Sequence, residues 1–89
     1  MQRDIDLIID GLKADIPGVR IVQLKVAYPE NDDDGLWFIN IPGRQETVQV
    51  ESSNGSCPFL IESDLNGERF RAHSVEEAVS TIERLYSLI

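Results

Sequence analysis

The residues of this chain with the most obvious chemical potential are carboxylates. Pro29 to Gly35 reads PENDDDG. Within it Glu30, Asp32, Asp34 and Gly35 fall at the first, third, fifth and sixth positions of an EF-hand-like loop. Alternate carboxylates there can wrap a hard cation, and the Gly permits the sharp turn. The twelfth position is Ile41, where that geometry needs a bidentate Glu, and a strand rather than a helix follows. A cation-binding module on residues 30–35 is therefore an alternative reading. The plain structural reading is a solvated loop whose charge discourages edge pairing. The functional reading makes Glu30, Asp32, Asp33 and Asp34 a recognition surface for Lys and Arg on a partner.

Catalytic material is scarce. The chain has one His and one Cys, too few N and S donors for a Zn cage or a nucleophilic triad. Cys57 and His73 have the residue types of a nucleophile and its base. No Gly-rich elbow or third group at a recognisable spacing accompanies them. They read as a small core residue and a strand–helix boundary residue. No catalytic residue, metal or cofactor is expected. Asn54-Gly55-Ser56 fits the N-glycosylation pattern, but without a secretory leader it reads as a turn. Arg69 and Arg71, two apart on one strand, are placed to pair with Glu62 and Asp64 across a hairpin.

Charge narrows the partners. A formal net charge of −8 in 89 residues opposes nucleic-acid phosphates and anionic membranes and suits a basic protein surface. Arg44, Arg69 and Arg71 make no basic stripe, so neither nucleic acid nor membrane is an expected partner. The single Cys57 fits a reducing compartment. The acids running through MQRDIDLIIDGLKAD do not suit a signal peptide, so a cytoplasmic location is expected. Residues 1–89 are expected to form one domain, burying about 60–65 % of the surface that the unfolded chain exposes.

These residues must be positioned by a short series of elements. Ile5, Ile8, Ile9, Leu12 and Ile16 recur at helical spacing, with Asp4, Asp6 and Asp10 towards the positive end of the dipole. Gly11 weakens that helix or marks close approach to a sheet, and Pro17-Gly18 ends it. Val19 to Tyr28 alternates, with Val22, Leu24, Val26 and Tyr28 on one face and Ile21, Gln23 and Lys25 on the other. Leu36 to Ile41, LWFINI, is a second strand that is apolar on both faces. Thr47 to Ser53 places Val48 and Val50 inward. Asn54-Gly55 predicts a type I′ hairpin into a fourth strand, Cys57 to Asp64. Asn66-Gly67 predicts another into a fifth, Glu68 to His73, with Phe70 and Ala72 inward. Ser74-Val75-Glu76-Glu77 is a capping box opening a final helix along Val75, Ala78, Val79, Ile82, Leu85, Tyr86 and Ile89.

The order predicts an α+β fold: a two-layer sandwich in which an antiparallel meander of four to five strands is flanked by an N-terminal and a C-terminal helix. Both helices would lie on one sheet face. The other face would show either Ile21, Leu36 and Phe38 or Trp37 and Ile39, depending on register. One of Trp37 and Phe38 is then core, and the other is placed as an interface anchor.

ESSNGSCPFLIESD followed by SVEEAVSTIERL is similar to short uncharacterised bacterial proteins that carry a CPFxIE strand and a C-terminal T/SVEEAV helix. The likeness spans most of the chain from Trp37 onward and implies a strand and a capped helix, with no activity to transfer. DDDGLWFINIPG with SVEEAV also resembles HicB-type antitoxins by distant analogy. In those proteins the helix follows the PG much sooner. Together these features point to a small acidic non-enzymatic protein, a protein-binding module of inhibitor/immunity or antitoxin type. Its partner would be a protein with a basic surface, or a second copy in a homodimer. A self-associating structural protein is a further alternative beside the cation-binding module.

Overall fold

The computed structural model describes residues 3–23, 35–52, 55–64 and 67–86. The elements in chain order are α1 (Asp4–Asp15), β1 (Arg20–Gln23), β2 (Leu36–Asn40), β3 (Val48–Glu51), β4 (Phe59–Ser63), β5 (Arg69–Ala72) and α2 (Val75–Leu85). The five strands form one antiparallel meander in the order β1-β2-β3-β4-β5. This is the expected α+β fold, with a helix before and after the sheet. Among the described residues no helix is long and apolar enough to cross a membrane.

Each helix starts as its sequence dictates. The Ser74 hydroxyl accepts the Glu77 N–H at 3.0 Å, satisfying one of the N-terminal donors of α2 that lack an intrahelical partner. At α1 the Asp6 carboxylate accepts the Arg3 N–H at 3.0 Å. α1 stops before Pro17, with the Ile16 N–H still bonded to the Leu12 carbonyl at 2.8 Å.

Period-2 alternation sorts the strands onto two faces. Trp37, Ile39, Val48, Val50, Phe59, Ile61 and Ala72 are buried beneath the helices, where they meet Ile5, Ile8, Leu12, Ala78, Ile82 and Tyr86. Full burial of each large apolar side chain contributes about 1.5–3 kcal/mol. Phe70 lies inward, as its alternation predicts, half-buried at the edge of this core.

The two helices run in parallel. A Cβ on Gly11 would lie 3.3 Å from Val79 Cγ2, and Asp15 reaches Glu83 one turn further on. Gly11 therefore marks close approach of α1 to α2, not to the sheet. Parallel packing brings both N-termini to one end, with Asp4, Asp6, Glu76 and Glu77 in the first turns. Carboxylates there complement the positive ends of both dipoles.

The Asn54-Gly55 expectation fails. Glu51 pairs with Leu60, so residues 52–58 separate β3 from β4 and no two-residue hairpin joins them. The reason is tertiary. The Gly55 carbonyl accepts the Ile5 N–H at 2.9 Å, and the Asp4 carboxylate accepts the Cys57 N–H at 2.9 Å. The start of α1 thus holds the backbone at Gly55 and Cys57 against itself. Gly55 has φ +75°, a backbone conformation that favours glycine, and the Arg3 side chain packs against it. At the second predicted hairpin, the Gly67 N–H donates to the Ser63 carbonyl at 3.0 Å and residues 64–68 connect β4 to β5. That connection is also longer than a type I′ turn. The predicted first strand is described only over Arg20–Gln23, and residues 24–28 lie outside the described residues.

Candidate functional site

The helices cover one face of the sheet, and the opposite face carries the candidate site. Its side chains follow from strand parity and register. One row across the sheet runs Val22, Phe38, Gln49, Glu62, Arg69, and the next runs Leu36, Glu51, Leu60, Arg71. Val22 is 55 % exposed, and Leu36, Phe38 and Leu60 are half-buried. Val22 stands directly opposite Phe38, a β-branched–aromatic cross-strand pair. The result is an apolar island of Val22, Leu36 and Phe38 on β1 and β2, with Gln49 and Glu51 of β3 standing between it and Leu60 on β4. Glu51 and Glu62 flank it, with Arg69 and Arg71 beyond them.

Trp37 and Phe38 separate as alternation requires. Trp37 is 3 % exposed in the core and is not available on the open face. Phe38 is the aromatic residue presented there. The sequence reading missed Leu60 as a member of this face and placed Ile21 there, whereas Ile21 stands opposite the buried Ile39 and Val22 takes the open face. The signal for Leu60 is present in FLIES, where an apolar residue sits between two inward-facing ones. Glu30, Asp32, Asp33 and Asp34, the expected acidic recognition residues and candidate cation ligands, lie outside the described residues. Three acids of α1 hold structural positions. Asp4 caps the Cys57 N–H, Asp6 caps the Arg3 N–H, and Asp15 adjoins Glu83.

Arg69 Nε lies 3.2 Å from Glu62 Oε2 across the β4–β5 hairpin, as the sequence predicts. Asp64 instead accepts the Thr47 N–H at 2.9 Å. Asn40 Nδ2 donates to the Thr47 hydroxyl at 2.8 Å, tying β2 to the entry of β3.

The remaining chemistry-bearing side chains are committed to structure. Burial first, then the hydrogen bond and charge of Asp4 and the charge of Glu77, push the Cys57 thiol up. An activated nucleophile needs the reverse. His73 is exposed at the β5–α2 junction, and the groups acting on Cys57 are these acids rather than a base. Tyr86 is fully buried. Its hydroxyl lies 2.7 Å from the Ile39 carbonyl and 2.9 Å from the Glu46 carbonyl. Burial above all pushes its pKa up to about 12, so it stays a neutral donor near pH 7. Arg44 Nη1 donates to the Tyr86 carbonyl at 3.0 Å and Nε to Glu46 Oε1 at 2.8 Å. Its guanidinium also sits 5.7 Å from the Tyr86 ring centroid. Arg44 thus fastens the β2–β3 connection to the C-terminal end of α2, where a cation complements the dipole.

A small cleft of about 240 Å³ opens between β5 and α2, lined by Glu68, Phe70, Thr81, Arg84 and Leu85. It holds no nucleophile, and the Thr81 hydroxyl is already bonded to the Glu77 carbonyl at 2.7 Å. Among the described residues no group of three or more His, Cys, Asp or Glu side chains is placed to hold a metal ion. No protein-family model, curated protein or solved structure matches the chain.

Proposed function

We propose that this protein is a small acidic, non-enzymatic protein-binding module of inhibitor/immunity or antitoxin type. It acts in the cytoplasm and docks a protein with a basic surface through the open face of its sheet. The observation that carries this reading is the apolar island of Val22, Leu36 and Phe38, with Leu60 beyond Glu51, on the face that the helices leave uncovered. A half-buried aromatic residue beside apolar neighbours, with charged side chains further out on the same face, has the anatomy of a binding hot spot. The net charge of −8 supports a basic partner and accelerates its encounter. The raised Cys57 thiol and the neutral, carbonyl-bound Tyr86 support a non-enzymatic role. The excess of acids over bases, 16 Asp and Glu against 8 Lys and Arg, disfavours a nucleic-acid partner.

The same island favours one second reading, a homodimer through the open faces. Light scattering after size exclusion, at low and high salt, separates the two. A dimer that persists in high salt assigns the island to a second copy. A monomer leaves it for a foreign partner. Pull-down from the native host then compares the wild type with Asp32→Asn/Asp33→Asn/Asp34→Asn. Undiminished, salt-insensitive capture by that variant rejects electrostatic recognition. A rise in Tm on adding millimolar Ca²⁺ would instead move the function to residues 30–35.

A further inference from the structure

Independently of the binding reading, the helix pair contains an unsatisfied acid. Glu83 is 9 % exposed, and its Oε1 is buried without a hydrogen-bond partner among the described residues. Beside it lies Asp15, the last residue of α1. We propose that Asp15 and Glu83 hold one proton between them, and that this shared proton fastens the C-terminal ends of α1 and α2 together as a pH-sensitive latch.

Three physical features converge here. Two adjacent carboxylates resist ionising together. Both stand near the C-terminal ends of parallel helices, where the dipoles add further negative potential. A protonated carboxyl, unlike a carboxylate, can donate, so one proton turns repulsion into a short charge-assisted O–H···O⁻ bond.

Among the described residues no cation acts on Glu83. Arg84 faces the β5–α2 cleft on the other flank of α2. Arg44, on the β2–β3 connection with Glu46, is engaged by Glu46 and the Tyr86 carbonyl. The charged groups of β4 and β5, Glu62, Arg69 and Arg71, belong to the open face. Lys13, in the last turn of α1, is exposed. Asp15 is the charged group that acts on Glu83. Its hydrogen bond first, burial second and its charge third all raise the Glu83 pKa. A carboxyl raised in the folded state makes the native protein bind more protons than the unfolded chain. Its contribution is therefore complete below the unfolded pKa of about 4.3 and is lost as pH rises through the folded value.

The test is thermal unfolding from about pH 5 to pH 8 of the full chain, Glu83→Gln, Asp15→Asn and the exposed control Glu76→Gln. The wild type should lose Tm as pH rises. Glu83→Gln and Asp15→Asn should flatten that slope, and Glu83→Gln should melt about 4 °C or more above the wild type at the upper pH. Glu76→Gln, which removes the same charge, should keep the slope. A Glu83→Gln protein that melts below the wild type at the upper pH, or retains its full slope, overturns the proposal. Carbon-13 NMR of the Glu83 carboxyl in the wild type gives a reading that needs no variant. A midpoint clearly above the ordinary Glu value supports the latch, and a midpoint at or below about 4.3 overturns it. Stabilisation of the wild type but not of Glu83→Gln by millimolar MgCl₂ or CaCl₂ would also overturn it, by making the occupant a metal cation.

Discussion

The two faces of this sheet are built from the same strands and differ by one residue of alternation. On the covered face Trp37, Ile39, Val48, Val50, Phe59 and Ile61 are buried against two parallel helices. On the open face Val22 is exposed and Leu36, Phe38 and Leu60 are only half-buried. Apolar content alone does not separate the faces, since β2 is apolar on both. What separates them is the company of each residue. The covered face shares one core with the helices, whereas the open face mixes its apolar residues with Gln49, Glu51, Glu62, Arg69 and Arg71. The first arrangement makes stability, and the second leaves binding energy unused.

That contrast implies a graded series of substitutions. Truncating the covered face should cost most. Phe59→Ala leaves a cavity under α2 and should destabilise by about 3–5 kcal/mol, read by denaturant unfolding. Tyr86→Phe should come next. It removes the hydroxyl that bridges toward the Ile39 and Glu46 carbonyls, at a cost of about 1–3 kcal/mol. This variant also has a pH signature. With the Tyr86 pKa pushed up to about 12 from an unfolded value of about 10, its contribution is intact below pH 10 and lost as pH rises towards 12. Tyr86→Phe should lack that alkaline loss, which absorbance-monitored titration and melting would reveal. Ser74→Ala removes the cap on the Glu77 N–H and should cost about 1 kcal/mol. On the open face, Val22→Ser should stay within about 0.5 kcal/mol of the wild type in unfolding while weakening partner capture or self-association. A destabilisation by Val22→Ser comparable to that of Phe59→Ala would erase the distinction between the faces.

The parts of the fold written locally were legible in the sequence. The capping box and 3/4 spacing of α2, the alternation of β3 and the Arg69–Glu62 pair each depend on residues close in the chain. The open face was legible only in part. LWFINI is apolar at both parities, and only pairing with β1 and β3 decides that Trp37 points in and Phe38 out. Asn54-Gly55 misled because Asp4 and Ile5, far away in sequence, bind the backbone at Cys57 and Gly55. The close approach at Gly11 has its partner, Val79, on the far side of the whole sheet in sequence. The Asp15–Glu83 pair has no local signal either. It exists because the helices run in parallel, bringing together two acids that each read as ordinary surface residues.

The most direct measurement compares wild type with Phe38→Asp/Leu60→Asp in parallel light scattering and host pull-down, after circular dichroism has established that the variant is folded. A binding role for the open face predicts that the wild type either dimerises or captures one defined basic protein, and that the folded double variant does neither. Unchanged dimerisation or capture by that variant would contradict it.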